Sequence, residues 1–372
     1  MKKITILIPN GLVKGGTTRI IYDLLWFLYK SFDISLVMLE GDGFAYDTPK
    51  SVKIIKSKSI ELENKYFRTI NMFFSILKIS KNIDDSDPST VISFLPRANI
   101  VNVIIAKVFK KKYKAIIVEQ NFNKIHYNSS FAGRCFLKIL HLTYPLADLV
   151  VANAIALKEE LIYSFGINRN YIKAIYSPFD FLKISNMSGE KVKHKWFDSS
   201  IPIIIHVGRL IKQKNQNLLL EAFNLVRKSN QARLIIIGDG ILEEELKNKT
   251  FILGLNKYVD FLGWKDNIFK YIAKSTVFVL SSDFEGLPSV LVQAMRCGCP
   301  VVSTDCPSGP REILRDGKYG LLSDVGDEIT LSQNIIDVLN DKKLQIELSK
   351  NGIERSKDFS IDNVGKEFLE IL

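Results

Sequence analysis

Two doubly wound α/β domains in tandem, with a ligand cleft between them, are what the sequence predicts, and three observations predict it. The chain has 372 residues, enough for two cores of ordinary size. Short apolar runs alternate with helix-length amphipathic segments, as parallel strands joined by crossover helices require. That rhythm breaks once, near the middle of the chain, and then restarts.

In chain order, the first set of expected strands is ITILIP (4–9), SLVMLE (35–40), VKIIKS (52–57), TVISFL (90–95), AIIVEQ (115–120), DLVVAN (148–153) and IKAIY (172–176). Amphipathic stretches such as TTRIIYDLLWFLYK separate most of them. Residues 178–200 are polar and aperiodic and read as a linker. The second set is IPIIIHVG (201–208), RLIIIGDG (233–240), YVDFLG (258–263), VFVLSS (277–282) and PVVSTD (300–305), each followed by a helical segment. Helices alone are expected from there to the end. The division is therefore a domain over 1–177, a linker over 178–200, a domain over 201–355, and a last helix in 356–372 packing back on the first domain. Both domains are Rossmann-like in this reading, and ligands on such sheets lie at the carboxyl ends of the strands.

Composition narrows the function classes. Apolar residues make up 47% and charged residues 24%, a globular balance that excludes a disordered chain. No apolar run approaches the ~18 residues that span a bilayer. The opening MKKITILIPNG reads as a first strand instead of a signal peptide, which points to a protein that stays in the cytoplasm. Cys135, Cys297, Cys299 and Cys306 are too few for a disulfide scaffold, and C-x-C spacing without a fourth ligand reads as reduced core thiols, not a metal site. The net charge of +11 is lopsided: residues 1–185 hold 26 Lys+Arg against 15 Asp+Glu, and residues 186–372 hold 25 of each. A basic front half that includes KKKYK (110–114) suits an anionic partner such as a membrane surface or a phosphate-bearing lipid.

Two strand-end stretches carry the chemistry. Arg209 and Lys214, in HVGRLIKQKN, follow directly on an apolar strand and are placed to bracket a diphosphate, the Arg by its fork and the Lys as a point charge. In FEGLPSVLVQAM, Glu285 stands in a Gly-Leu-Pro loop and a helix is expected to start at Pro288 or Ser289. The unpaired amides of Ser289, Val290 and Leu291 favour an anion there. Gln293 lies about one turn into that helix. A sugar at Glu285, a diphosphate at the amides and a ribose at Gln293 fit this order.

These stretches, with IIGDG, VDFLGW, CGCPVVSTDCPSGPREIL and DGKYGLL, occur in order over roughly 200–325. Together they resemble the donor domain of the retaining GT-B glycosyltransferases of family 4, in the bacterial surface-polysaccharide and lipid-linked oligosaccharide branch. In the front half only ITILIPNGLVKGGTTRIIYDL and the strand ending VEQN share the likeness. The resemblance implies that the first domain serves the acceptor and the second the nucleotide-sugar. It implies that Arg209 and Lys214 neutralise the leaving diphosphate, and that Glu285 holds donor-sugar hydroxyls with the amides of Gly286 and Leu287. It further implies that Ser289 and Val290 amides cap the phosphates, that Gly15 and Gly16 let backbone approach them, and that Gly263 and Trp264 meet the base. No metal or other cofactor is expected, because the cations and the helix end do a metal's work.

Two departures from the family pattern stand out. Gln293 occupies the place of the family's second acid, and Gln120 that of a histidine that touches the donor sugar. An amide still accepts and donates, but charge assistance is lost, at a cost on the order of 1 kcal/mol in nucleotide binding.

Weaker signals read as structural. DDSD (84–87) contains a D-x-D but precedes a strand, so it is expected as a solvated loop. His126 and His141 lack metal-like spacing, and His206, inside an apolar strand, is expected in the core. Arg97 and Asn99 follow a strand and are candidate acceptor contacts. In YFRTINMFFSILKISK, Phe67, Ile70, Phe73, Phe74 and Leu77 share one helix face, expected toward the core, with a membrane-surface face as the rival.

The expected function is a retaining hexosyltransferase that moves a hexose-type sugar from a UDP-sugar to a glycan acceptor on a membrane lipid, such as a polyprenyl diphosphate. It would work as a peripheral protein on the inner face of the cytoplasmic membrane. The alternative is a nucleotide-sugar-binding protein with weak or no transferase activity, on the strength of Gln293 and Gln120. A dinucleotide-dependent oxidoreductase lacks its G-x-G-x-x-G after the first strand, and a nucleic-acid binder lacks a motif.

Overall fold

A computed structural model describes residues 1–11, 15–41, 43–56, 65–120 and 130–372, without the side chains of 65–75. The chain forms two compact units, residues 1–179 with 361–372, and residues 180–360.

The first unit is built on seven parallel strands, β1 (Lys2–Asn10), β2 (Phe32–Glu40), β3 (Lys53–Lys56), β4 (Thr90–Phe94), β5 (Lys114–Glu119), β6 (Leu149–Ala152) and β7 (Ile172–Ala174). Their order in the sheet is β3-β2-β1-β4-β5-β6-β7, so the winding reverses between β1 and β4. Central strands are apolar on both faces because helices cover both. On one face Ile116, Val118, Leu149, Val151 and Ile175 join Ile20, Leu24 and Leu28 of the helix Gly16–Leu28 in one core. The last helix, Ile361–Ile371, adds Val364, Phe368 and Ile371 to that core, each burial worth about 1.5–3 kcal/mol. Gly365 is what lets it close in, since a Cβ there would stand 2.5 Å from the Phe27 ring.

The second unit repeats the plan with β8 (Ile203–Val207), β9 (Arg233–Ile237), β10 (Val259–Phe261), β11 (Val277–Leu280), β12 (Val301–Thr304) and β13 (Leu321–Ser323). The order β10-β9-β8-β11-β12-β13 places its reversal between β8 and β11. Its core gathers Leu219, Phe223 and Val226 of the helix Gln216–Ser229 under Ile204, Ile236, Val279 and Val302.

Three expectations need correction. Helices alone were expected after residue 305, yet LLS forms β13, a three-residue edge strand too short to show period-two alternation. The stretch 178–200 is not an irregular linker. It holds the helix Phe181–Ser188, started by the Asp180 side chain accepting from Lys183 N at 3.0 Å, and it belongs to the second unit from Asp180 onward. DDSD closes the helix Lys65–Ser86 instead of forming a loop, with Asp84 paired to Lys111 at 2.7 Å. His126 and the side chains of Phe67, Ile70, Phe73 and Phe74 lie outside the described residues, while Leu77 is exposed. Among the described residues no helix is long and apolar enough to cross a membrane. All four cysteines are free thiols, and burial pushes the Cys297 and Cys306 thiols up to about 12 and raises Cys299 as well.

Candidate active site

The candidate site of the second unit stands where the sheet order reverses. β8 and β11 are neighbours there, and the loops leaving their carboxyl ends meet. After β8 the chain passes through Gly208 and Arg209 into a short 3-10 turn, Lys212–Lys214. Asn215 then takes a left-handed conformation, φ 43°, and caps the helix Gln216–Ser229 by accepting from Leu218 N at 3.2 Å. After β11 come Ser281, Ser282 and the Asp283–Pro288 loop. Four contacts tie the two loops together. Asp283 N donates to Gln213 O at 2.9 Å, and Gln213 Nε2 donates to Phe284 O at 2.8 Å. Asn215 Nδ2 donates to Asp283 Oδ1 at 2.7 Å, and Ser281 Oγ to Lys214 O at 2.9 Å.

At the centre, Lys214 Nζ and Glu285 Oε1 form an ion pair at 2.5 Å, with side chains only 16% and 8% exposed. Ser282 Oγ donates to the same Oε1 at 2.6 Å. Glu285 is thereby held through one oxygen, and Oε2 has no partner among the described residues. Lys214 was expected to face a diphosphate; in the structure its ammonium is already bound to the carboxylate, with two of three N–H donors to spare. Arg209 is exposed, and its guanidinium has no partner among the described residues.

The Glu285 loop also presents main-chain donors. Among the described residues the amides of Gly286, Leu287, Ser289 and Val290 have no acceptor. The expectation for Leu291 is corrected: its N–H donates to Pro288 O at 3.0 Å and is not available. Pro288 is the residue before the helix, which runs Ser289–Arg296 and carries Gln293 half-buried, its side-chain amide unpartnered among the described residues. The loop is held from behind by Gly309, whose N–H donates to Gly286 O at 2.8 Å, and where a Cβ would stand 2.4 Å from that oxygen.

The neighbouring strand ends join the same edge. Gly208 N donates to Ile237 O and Leu210 N to Asp239 O, while Gly238 N donates to Gly263 O at 3.0 Å. Gly263 has φ 65° and Trp264 is 46% exposed beside it. Arg209, Lys214, Gly263, Trp264, Glu285 and the open amides thus share one continuous carboxyl edge, as the sequence reading places them.

Beneath this edge stands His206, a core residue as the sequence reading had it, with hydrogen-bond partners that reading did not foresee. His206 is fully buried in β8; its Nδ1 donates to Val279 O at 2.9 Å, and its Nε2 accepts from Gln216 Nε2 at 3.2 Å. The same Gln216 amide donates to Arg209 O at 2.9 Å. Burial pushes the His206 pKa down to about 4, with the Lys214 charge adding to the effect against the Val279 hydrogen bond. The position of His206 inside the apolar run IIIHV was the signal for a core residue, and the Ser281–Ser282 pair, both wholly buried at the end of VFVL, was a signal left unread.

In the first unit, Gly15 precedes the helix Gly16–Leu28 in extended backbone, and a Cβ there would meet nothing within 4 Å. Gln120 follows β5 and is 7% exposed, its N–H donating to Glu119 Oε1 at 2.8 Å. The acceptor reading of Asn99 is corrected. Its side chain is wholly buried, accepts from Ser93 Oγ at 2.8 Å and donates to Val118 O at 3.0 Å, so it knits β4 to β5. Arg97 forks onto both oxygens of Glu40 at 2.5 and 3.3 Å, which ties the ends of β4 and β2. His141 bridges the carbonyls of Leu137 and Ser164, a structural role.

Residues 190–355 match the family model for glycosyl transferases group 1. The chain is 30% identical over 373 residues to the N-acetylgalactosamine-N,N'-diacetylbacillosaminyl-diphospho-undecaprenol 4-alpha-N-acetylgalactosaminyltransferase of Campylobacter jejuni, covering 100% of both chains. It is 27% identical to a second Campylobacter jejuni protein, a GalNAc-alpha-(1->4)-GalNAc-alpha-(1->3)-diNAcBac-PP-undecaprenol alpha-1,4-N-acetyl-D-galactosaminyltransferase, over 100% of this chain and 98% of that one. Among solved structures, Anabaena HepE in complex with UDP superposes with a TM-score of 0.80 at 20% identity, covering 99% of each chain, which shows the GT-B fold. With a full-length relative at this identity and the family model matched over the unit that carries the site, the chain belongs to the group 1 glycosyltransferases.

Proposed function

We propose that the chain transfers a sugar from a UDP-sugar, with retention at the anomeric carbon and without a metal cofactor, to a glycan carried on a polyprenyl diphosphate. The observation that carries this reading is the single edge on which the Lys214–Glu285 pair, the unpartnered Arg209 and four open amides stand together. Arg209 and the amides meet the charge that grows on the diphosphate as it leaves, which is where preorganised donors act most strongly. Lys214 fixes Glu285 through Oε1, and Oε2 accepts from sugar hydroxyls. The acceptor oxygen bonds to the anomeric carbon on the face from which the phosphate oxygen departs, and that oxygen takes the acceptor's proton. No protein base is then required. Gly15, Gly16 and Gln120, in the first unit, carry roles that come from the family resemblance alone.

The two Campylobacter relatives, named as N-acetylgalactosaminyltransferases acting on undecaprenol-diphosphate glycans, support a lipid-diphosphate acceptor and make an N-acetylhexosamine the first donor sugar to test, ahead of a plain hexose. A peripheral position on the inner face of the cytoplasmic membrane goes with such an acceptor. Calorimetric titration of UDP, GDP and ADP, with chelator present, is the first test, and selective binding of UDP is expected. Gln293→Glu should tighten UDP about five-fold, the ~1 kcal/mol that charge assistance adds to a hydrogen bond. Transfer from UDP-N-acetylgalactosamine, UDP-galactose and UDP-glucose to a polyprenyl-diphosphate glycan comes next. If UDP binds but turnover appears only when Gln293→Glu is combined with Gln120→His, the weak-enzyme alternative replaces this reading. Binding of no nucleotide would remove the donor assignment altogether.

A further inference from the structure

The carboxyl edge of the first unit carries a row of buried polar side chains, each with one atom that no described residue satisfies. Gln120, Asn153 and Ser177 are 7%, 4% and 2% exposed, and Gln120 Oε1, Asn153 Oδ1 and Ser177 Oγ have no hydrogen-bond partner among the described residues. They follow the carboxyl ends of the adjacent strands β5, β6 and β7. Glu119 pairs with Ala152 in the register of β5 and β6, so Gln120 and Asn153 are the next step, and Asn153 N donates to Glu119 O at 3.2 Å. Ala152 pairs with Ala174 across β6 and β7, Ile175 N donates to Ala152 O at 2.9 Å, and Ser177 lies two residues on.

Side-chain alternation, carried one residue past β5 and β6, puts Gln120 and Asn153 on one face, and Ser177 lies beyond the end of β7 beside them. Ile116 and Val118 on β5, Leu149 and Val151 on β6, and Ile175 after β7 belong to the core under the helix Gly16–Leu28. Counting on by two from Val118 and Val151 gives Gln120 and Asn153, so where the pattern would place two more apolar residues the sequence places two amides. The buried hydroxyl of Ser177 follows at the next strand end. Burying such groups unpaired costs stability, and more than nine in ten buried polar groups in folded proteins have a partner. The opposite face of the same edge is different: Glu119 accepts from Tyr144 Oη at 2.6 Å and from Gln120 N.

We propose that Gln120, Asn153 and Ser177 form a sugar-hydroxyl subsite, in which two amides and a hydroxyl exchange hydrogen bonds with the hydroxyl and acetamido groups of a pyranose. An amide both accepts and donates, and a hydroxyl does the same, which is the set a sugar's O–H groups require. Charged groups are absent from the row, so it reads a neutral sugar and not a phosphate. The pyranose has two possible sources, the donor sugar and the acceptor glycan. This inference rests on the glycosyltransferase reading for its ligand class and adds Asn153 and Ser177 to it.

The test uses the full-length protein and three probes, UDP, UDP-N-acetylgalactosamine and methyl N-acetyl-α-galactosaminide, with affinities read by calorimetry and saturation-transfer NMR. Asn153→Ala, Ser177→Ala and Asn153→Leu are compared with the unaltered chain, with a thermal melt of each. The expected result is unchanged UDP affinity and at least a ten-fold loss for a sugar-bearing probe. Loss confined to UDP-N-acetylgalactosamine assigns the row to the donor sugar, and loss of the methyl glycoside assigns it to the acceptor. Asn153→Leu guards against misfolding, because removing an unsatisfied buried amide leaves the melt unchanged or raises it while sugar recognition still falls. Sugar affinities equal to the unaltered chain's in all three variants overturn the inference, whatever the melts do. Failure of the unaltered chain to bind UDP overturns the donor reading instead.

Discussion

Residue by residue, the candidate site shows which side chains a sequence exposes to inspection and which it hides. Arg209, Lys214 and Glu285 are legible because charged residues directly after apolar strands have few other uses. Ser282, Gln216 and His206 are not legible as a set, since their partners lie on other strands and only the tertiary structure names them. His206 makes this testable. Its folded pKa of about 4 lies below the ordinary 6.5, so between those values the unfolded chain holds a proton that the native state refuses. Stability therefore falls as pH drops from about 6.5 towards 4 and stops falling from this source below that. The window is worth roughly 3 kcal/mol at 1.36 kcal/mol per pKa unit. His206→Gln keeps a hydrogen-bonding amide and removes the titration. Urea unfolding of both proteins between pH 7 and pH 4 should show the unaltered chain losing more stability than the variant, by an amount of that order. Parallel curves would mean that His206 does not titrate on unfolding as its burial requires.

Elements were read with uneven success, for physical reasons. The twelve strands named in the sequence are all present, because short β-branched and apolar runs between turn signals are hard to mistake. β13 has three residues, and its pairing with β12 comes from position in the sheet and not from its own pattern. The helix Phe181–Ser188 was hidden by polar composition, although Asp180 was a readable cap. What positions the candidate site at this scale is the crossing of the loops after β8 and β9. Gly238 has φ 135°, and a Cβ there would stand 2.0 Å from Gly208 O. Gly238→Ala must push that crossing apart, at about 3 kcal/mol, or roughly 6–12 °C in Tm for a unit of this size. Gly254 is the control: φ is 69°, but a Cβ would meet nothing within 4 Å. Gly254→Ala should cost only about 1 kcal/mol, the backbone strain alone. Thermal melts separate the two, and UDP binding should be lost in the first variant only. Equal melting shifts would show that close approach adds nothing to the strain.

At the scale of the whole molecule the governing feature is charge, and it was fully legible because it needs only counting. The surplus of eleven positive charges in residues 1–185 is not used up by ion pairing. Of the lysines in KKKYK, Lys111 is paired with Asp84 and Lys114 donates to Ile371 O, while Lys110 and Lys112 have no partner among the described residues. A surplus of exposed charge is attracted to an anionic bilayer by about 1 kcal/mol for each basic residue that comes near the surface. The attraction decays over the Debye length, about 10 Å at 0.1 M salt and about 3 Å at 1 M. The protein should therefore sediment with phosphatidylglycerol vesicles at about 0.1 M salt and be released at about 1 M. It should stay in solution with phosphatidylcholine vesicles at either concentration. Equal, salt-insensitive binding to both lipids would assign the attachment to apolar side chains instead of charge. Binding to duplex DNA with the same salt dependence would show a general affinity for polyanions, and the lopsided charge would then carry no information about membranes. Only vesicle binding without DNA binding joins the basic half of the chain to a lipid-held acceptor, because only then does the surface distinguish a bilayer from any other array of phosphates.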